Sequence, residues 1–211
     1  MIKGVIFDLD GVLVFTDKYH YLAWKVIADK EGIYFDEIIN NRLRGVSRME
    51  SLEIVLEKSN KSYSKKEKEL MAFEKNEIYK ESLNQLSSKD VSDDVLVTLK
   101  ELKKNNIKLA IGSSSKNTRL ILKKIGIIDY FDEIVDGNCI SNSKPHPEVF
   151  EKAANRLGLD SSECLVIEDA ESGVDAAIAA NIKVCGIGDA SKYSKTTYPI
   201  SSIKDLLKYV L

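Results

Sequence analysis

Three features are scarce in this chain: cysteine, an excess of one charge sign, and long apolar runs. Its 211 residues include three cysteines, which are odd in number, widely spaced and without a CxxC pair. Neither a disulfide framework nor a zinc site is therefore indicated. The formal net charge is only −2, which gives no reason to expect nucleic acid or an acidic membrane as a partner. No stretch approaches the roughly 20 consecutive apolar residues of a membrane span.

The first apolar run meets an acid at Asp8, too early to supply the apolar centre of a signal peptide. We therefore expect a cytoplasmic protein with no membrane partner, and we expect a monomer. An apolar content of 44% with 30% charged residues fits a globular protein. The length suits one domain of ordinary size or one domain with a sizeable insertion.

The most informative stretch of the chain is Asp8-Leu9-Asp10-Gly11, which directly follows the apolar run at residues 4–7. So short a run, rich in β-branched and aromatic residues, indicates a buried strand. If the strand continued, Asp8 and Asp10 would share a face, and their repulsion would need a cation or a proton. Taken alone, this stretch is equally well explained as a solvated turn at a strand end.

The spacing of apolar residues divides the chain into two parts. Residues 17–86 show helical apolar spacing without a strand pattern, and Asp17 and Ser47 occupy expected N-cap positions. Residues 62–80 are highly charged, which is typical of an outer, solvated helix. From residue 87 onward, strands alternate with helices, which indicates a parallel sheet covered on both faces.

These patterns predict an α/β fold, a Rossmann-like parallel sheet core with an inserted α-helical cap. We assign residues 1–13 and 87–211 to the core and residues 14–86 to the cap. The first core strand is the apolar run at residues 4–7, and the following strands are expected near residues 107–111, 134–135, 164–167 and 183–187. The core helices are expected near residues 91–105, 118–125, 147–157, 173–181 and 203–210.

Acidic side chains, serines and lysines follow the ends of four core strands. Parallel sheets bind ligands outside the carboxyl ends of their strands. The residues that arrive there are Asp8 and Asp10, the turn Ser113-Ser114-Ser115-Lys116-Asn117, Lys144, and Glu168 with Asp169. Carboxylates from two strands suit Mg²⁺, and a hydroxyl-rich turn that opens a helix suits an anion. Together these residues indicate a magnesium and phosphate site rather than surface decoration.

With these four motifs in this order, the chain resembles the haloacid dehalogenase-like superfamily of phosphotransferases over essentially its whole length. Within that superfamily it is similar to the β-phosphoglucomutases, which interconvert β-glucose 1-phosphate and glucose 6-phosphate. That similarity is carried by the residues around the first motif, by several cap residues and by the serine-rich turn: Thr16, His20, Trp24, Arg44-Gly45-Val46-Ser47-Arg48, Glu50-Ser51 and Ser115-Lys116-Asn117.

The resemblance implies roles for the core residues. Asp8 would be the nucleophile that forms an aspartyl phosphate, and Asp10 would be the general acid and base. Magnesium would be held by Asp8, the backbone carbonyl of Asp10, Glu168 and Asp169. The phosphoryl oxygens would be surrounded by Ser113, the Ser114 amide and Lys144.

A mutase also needs a second phosphate site, because a hexose 1,6-bisphosphate must bind in two orientations. Arg48 would supply it from the cap and would meet Ser115, Lys116 and Asn117 of the core on closure. Taken without its neighbours, Arg48 is better explained as a solvated residue at a helix start. The resemblance further implies substrate contacts from other cap residues and a hinge at Thr16; the contacts are Gly45, Val46, Ser47, Trp24, His20 and Lys75. His20 would support Asp10, although a surface histidine is as reasonable, and Lys75 looks like part of an ordinary charged helix.

Two departures from the β-phosphoglucomutase pattern leave the sugar open. Arg44 stands where many of those enzymes have lysine, and Ala170 replaces a common serine. We therefore predict a magnesium-dependent phosphomutase acting on a sugar phosphate. Two alternatives remain: a sugar-phosphate phosphatase on the same fold, and a non-enzymatic, magnesium-dependent phosphate-binding module.

Overall fold

The computed structural model describes residues 1–211 and contains one six-stranded, wholly parallel sheet in the order β3-β2-β1-β4-β5-β6. The strands are β1 (Gly4–Phe7), β2 (Lys108–Gly112), β3 (Glu133–Val135), β4 (Cys164–Glu168), β5 (Lys183–Gly186) and β6 (Tyr198–Pro199). The predicted fold class is confirmed. The short β6 was not predicted, because two residues carry no readable alternation.

Nine α-helices accompany the sheet. They are α1 (Asp17–Glu31), α2 (Glu37–Asn41), α3 (Arg48–Leu56), α4 (Lys65–Ser82), α5 (Asp93–Lys104), α6 (Thr118–Lys124), α7 (Glu148–Leu157), α8 (Glu171–Ala179) and α9 (Leu207–Val210). The predicted closing helix is in fact a 3₁₀ turn, Ile203–Leu206, followed by α9. None of these helices combines the length and the apolarity needed to cross a membrane.

Side-chain alternation along β1 explains how the sheet is covered. Val5 and Phe7 belong to a cluster of 30 buried residues on one face, whereas Ile6 belongs to a cluster of 17 on the other. Successive side chains of a strand point to opposite faces, so a fully apolar β1 must be covered on both. The central position of β1 therefore places its carboxyl end in the middle of the sheet edge.

The helices α1 to α4 lie between β1 and β2 in the chain and bury a cluster of their own. This third cluster contains 11 residues, with Trp24, Leu52 and Ala72 among them. The cap boundaries at residues 14 and 86 remain our proposal. Tyr79 and Leu83, near the end of α4, already pack with the sheet-face cluster, which joins this helical layer to the core.

The expectation that the charged segment forms an outer, solvated helix is only partly right. In α4 the buried residues are Ala72, Lys75 and Tyr79, at spacings of three and four that share one helix face. Two apolar residues of α4, Leu70 and Phe73, are instead exposed. The buried face of α4 thus includes Lys75 and Tyr79 beside Ala72, while two of its large apolar residues face outward.

Candidate active site

Three carboxylates meet at the carboxyl end of the sheet. Phe7 of β1 pairs with Ile167 of β4, so the next residues, Asp8 and Glu168, emerge side by side. One oxygen from each of Asp8, Glu168 and Asp169 lies within 4.8 Å of the others, and all three residues are buried. The register between β1 and β4 therefore brings together the acids that the sequence placed 160 residues apart.

Lys144 lies between two of these acids. Its Nζ is 2.5 Å from both Asp8 Oδ1 and Glu168 Oε1, and its side chain is fully buried. Burial alone would lower the pKa of Lys144, but the carboxylates of Asp8 and Glu168 outweigh burial and raise it. Lys144 is therefore charged at neutral pH and pairs with two of the three acids.

The backbone around the acids leaves space for their carboxylates. Gly11 has φ +87°, and a Cβ there would come within 2.0 Å of Asp169 Oδ2. A Cβ at Gly173 would come within 1.9 Å of the Glu168 carboxylate. Both positions thus require glycine because the acids approach the backbone closely. An all-oxygen donor set of three buried carboxyl groups beside a single lysine fits a divalent cation.

The two acids of the first motif have different surroundings. Burial raises the pKa of Asp8, and Lys144 only partly opposes this, since Glu168 and Asp169 raise it further. Burial also raises the pKa of Asp10, to about 6, although a hydrogen bond from the Thr16 hydroxyl to Asp10 Oδ1 favours the ionised form. Asp10 can thus be either protonated or ionised near neutral pH, so its carboxyl group can both give and take a proton.

The serine-rich turn lies beside the acids and is internally braced. The Ser115 amide donates to Ser113 Oγ at 3.2 Å, and the Asn117 amide donates to Ser115 Oγ at 3.2 Å. Ser114 Oγ donates to the carbonyl of Gly45 at 2.9 Å. The turn therefore contacts the helical layer as well as the sheet edge.

A cavity of about 530 Å³ separates the sheet edge from the helical layer. It is lined from the core by Asp8, Asp10, Ser113, Ser114, Ser115, Lys116, Asn117, Glu168 and Asp169. From the helical layer it is lined by His20, Trp24, Gly45, Val46, Ser47, Arg48 and Lys75. Of the predicted site residues, only Thr16 and Lys144 do not line it, and both are fully buried behind its wall.

The helical wall contains a desolvated cluster of cations and rings. Lys75 is 2% exposed, and its Nζ lies 2.9 Å from His20 Nδ1 and 4.9 Å from the centre of the Trp24 ring. Burial, with Arg48 nearby, lowers the pKa of Lys75 to about 7. Burial also lowers the pKa of His20, and the charges of Lys75 and Arg48 lower it further. The view of Lys75 as part of an ordinary charged helix was wrong, and so was the alternative of a free surface histidine at His20.

Arg48 begins α3 as expected. Ser47 caps the helix: its hydroxyl accepts from the Glu50 amide, and the Glu50 carboxylate accepts from the Ser47 amide. Such a capping box fixes the first turn of a helix. Arg48 therefore projects into the cavity from a rigid helix start, and its guanidinium forms no ion pair within the chain.

Several polar contacts join the two walls. Asn117 Nδ2 donates to Asn76 Oδ1 at 2.9 Å, and Ser172 Oγ donates to the carbonyl of Arg44 at 3.2 Å. Ser143 Oγ donates to the Glu50 carboxylate. These contacts hold the helical layer against the sheet edge.

The roles of some residues near the site were not predicted from the sequence. Asp17 was expected to be an N-cap, but Thr16 holds that position without a capping hydrogen bond. The Asp17 carboxylate instead pairs with Arg44, whose guanidinium also lies 3.3 Å from Asp189. Tyr79 was not singled out, because nothing in a charged helix marks its tyrosine as buried.

The chain is similar to known proteins over most of its length. The profile of the haloacid dehalogenase-like hydrolases matches residues 5–187. The chain is 38% identical over 206 residues to a β-phosphoglucomutase of Bacillus subtilis, covering 97% of this chain and 91% of the relative. It is 31% identical over 184 residues to a phosphorylated carbohydrates phosphatase of Thermotoga maritima, covering 86% and 82%. The crystal structure of a β-phosphoglucomutase from Clostridium difficile superposes with a TM-score of 0.94 at 40% identity, covering 100% and 96%.

Proposed function

The chain belongs to the haloacid dehalogenase-like hydrolase family, and we propose that it is a β-phosphoglucomutase. It would interconvert β-glucose 1-phosphate and glucose 6-phosphate through an aspartyl phosphate and a hexose 1,6-bisphosphate. The observation that carries the proposal is the pairing of two walls: acids and Lys144 on the core, and Arg48 free to bind an anion on the helical layer. Similarity to β-phosphoglucomutases over nearly the full chain supports it.

The core would carry out phosphoryl transfer. Asp8 Oδ2, the oxygen not bound to Lys144, is free to attack phosphorus, forming the Oδ2–P bond as the P–O bond to the sugar breaks. Asp10 would give its proton to the departing sugar oxygen and take one from the hydroxyl that attacks next. Lys144 would hold Asp8 in place and stabilise charge on the phosphoryl oxygens.

We propose Mg²⁺ as the divalent cation, held by Asp8, Glu168, Asp169 and the backbone carbonyl of Asp10. When bound, Mg²⁺ would neutralise charge on the transferring phosphoryl group and allow an anionic nucleophile to approach it. Ser113, the Ser114 amide and Lys144 would then surround the remaining oxygens.

The second phosphate site would lie between Arg48 and the turn at Ser115, Lys116 and Asn117. These groups come from opposite walls of one cavity, so the site is complete only when the walls are together. A bisphosphate could then bind with either phosphate next to Asp8. Thr16, at the junction between β1 and α1, would be the hinge. A monomer and a cytoplasmic location remain part of this proposal.

The deciding experiment measures glucose 6-phosphate formed from β-glucose 1-phosphate, with and without a catalytic amount of β-glucose 1,6-bisphosphate. A panel of hexose 1-phosphates of both anomers defines the sugar. We expect bisphosphate-dependent formation of glucose 6-phosphate from the β-anomer of glucose. Release of free phosphate as the main product would instead support the sugar-phosphate phosphatase, a function that one of the relatives carries.

Arg48→Ala tests the second phosphate site. We expect it to lower mutase kcat/KM by about 10²-fold or more, since a charged, bidentate phosphate contact is lost. Hydrolysis of a small phosphate monoester, which has no second phosphate, should change by less than about threefold. Arg42→Ala is the matched control, because Arg42 pairs with Glu57 on the outside of the same layer. Equal losses in both reactions would show that Arg48 binds no second phosphate.

A further inference from the structure

Tyr79 joins the helical wall to the proposed proton donor. Its side chain is 1% exposed, and its hydroxyl donates to Thr16 Oγ1 at 3.2 Å. The Thr16 hydroxyl in turn donates to Asp10 Oδ1. A continuous hydrogen-bonded chain therefore runs from α4, through the junction after β1, to Asp10.

The direction of this chain follows from its proton count. A threonine hydroxyl has one proton, and an ionised Asp10 can only accept, so the Thr16 proton points to Asp10. Thr16 Oγ1 must then accept from Tyr79. Burial raises the pKa of Tyr79 well above its usual value, so the phenol keeps the proton that it donates.

The ring of Tyr79 fixes where its hydroxyl lies. Its centre is 4.1 Å from that of the His20 ring, and Lys75 Nζ lies 4.6 Å from it. The ring also packs with the buried cluster on one face of the sheet. Few rotamers are open to a ring enclosed in this way, so the phenol oxygen is held at a fixed point beside Thr16.

We propose that Tyr79 is a positioning residue, which acts through the Thr16 hydroxyl to hold Asp10 where it exchanges protons with the substrate. The inference rests on the proposed role of Asp10 in sugar phosphate chemistry. Without the phenol proton, the Thr16 hydroxyl is free to rotate and to donate elsewhere. Asp10 then loses a fixed donor while its surroundings and charge stay the same.

Tyr79→Phe tests this because it keeps the ring and removes only the hydroxyl. We expect kcat for the mutase reaction to fall about 5- to 10-fold, the effect of one buried hydrogen bond, with KM changed less than twofold. Tyr63→Phe is the matched control: the Tyr63 hydroxyl is hydrogen-bonded to Ser59 and Glu31 within the same helical layer, and these bonds do not lead to Asp10. We expect it to leave kcat unchanged.

A double-mutant cycle separates action through Thr16 from a general loosening. In a Thr16→Val background the Tyr79→Phe change should have no further effect on kcat, whereas in a Thr16→Ser background the full 5- to 10-fold loss should remain. Thermal melting confirms that every variant is folded. Additive losses in the Thr16→Val background, a loss confined to KM, or wild-type kcat in Tyr79→Phe would each overturn the proposal.

The cycle also distinguishes failure of this inference from failure of the proposed function. If the wild type only hydrolyses glucose 6-phosphate, the mutase assignment is wrong, but the departing sugar oxygen still needs a proton. The same cycle is then measured on hydrolysis, and the same non-additivity is expected.

Discussion

The core wall and the helical wall of the cavity each bury one lysine, and the two lysines lie in opposite environments. Lys144 lies 2.5 Å from two carboxylates, whereas Lys75 forms no ion pair and is surrounded by His20, Trp24 and Tyr79. The pKa of Lys144 is raised and that of Lys75 is lowered to about 7. The core wall thus pairs its lysine with two carboxylates and keeps a third acid for a cation, while the helical wall keeps positive charge without a counter-ion, which suits an anionic substrate.

This difference indicates that the core wall and the helical wall have different functions. Because Lys144 is already paired with Asp8 and Glu168, the core wall can hold a nucleophile and a cation with or without substrate. An unbalanced helical wall is less stable by itself and gains most when a phosphate arrives, which favours closure on substrate. Substitutions in the core wall and in the helical wall should therefore have different effects.

The largest effect is expected from Asp8→Asn, which removes the nucleophile of the core wall. Turnover should fall by about 10⁴-fold or more, as when the nucleophile of a covalent mechanism is lost. Phosphate should no longer be incorporated into the protein, as measured by intact mass after mixing with a bisphosphate donor. Asp10→Asn should lower turnover by about 10²–10⁴-fold through loss of the proton shuttle. If Asp10→Asn leaves turnover unchanged, the assignment of the two acids is incorrect.

The two lysines should respond with opposite signs when each is replaced by methionine. Lys144→Met leaves Asp8 and Glu168 buried without their cation, and we expect it to lower the free energy of unfolding by about 3–5 kcal/mol at pH 7 without divalent metal. Lys75→Met removes a buried charge that has no counter-ion, and we expect it to raise the free energy of unfolding at pH 6 by about 1–3 kcal/mol. Urea unfolding measures both. A change of the same sign in both variants would contradict the comparison.

The pH dependence of the Lys75 effect has a definite direction. The folded-state pKa of about 7 lies below the value of about 10.4 expected in the unfolded chain. Between these values the unfolded state binds more protons, so wild-type stability rises with pH. The stability advantage of Lys75→Met should therefore narrow from about pH 7 to pH 10. Lys80→Met, in the same helix, is the control, because Lys80 is partly exposed and pairs with Glu77.

The smallest effect is expected where the two walls touch at the rim. Ser143→Ala removes the donor to Glu50 but leaves the capping box of α3 intact. Since Glu50 is exposed, we expect a loss of about threefold or less in mutase kcat/KM and a stability change within about 0.5 kcal/mol. Ser141→Ala, in the same loop, is the control. A loss above tenfold would show that this contact controls closure.

The core wall was predictable because its residues follow strand ends. In a parallel sheet all carboxyl ends meet at one edge, so Asp8, Ser113 and Glu168 had to converge once the strands were recognised. The capping box at Ser47 and Glu50 was likewise local, since it depends only on a spacing of three residues. Asp17 shows the limit of local rules, because a carboxylate suited to an N-cap is used instead by Arg44.

The amino-acid sequence by itself determined the parallel sheet, the position of a helical layer after the first strand, and the acids, lysine and serines at the sheet edge. These follow from local periodicity and from the geometry of strands. Only the tertiary structure decided that Lys75 and Tyr79 are buried, while Leu70 and Phe73 of the same helix are exposed. The rotation of α4 about its axis is set by packing against α1 and the sheet, which no pattern within a charged helix encodes. For the same reason, the chain from Tyr79 through Thr16 to Asp10 could be found only in three dimensions.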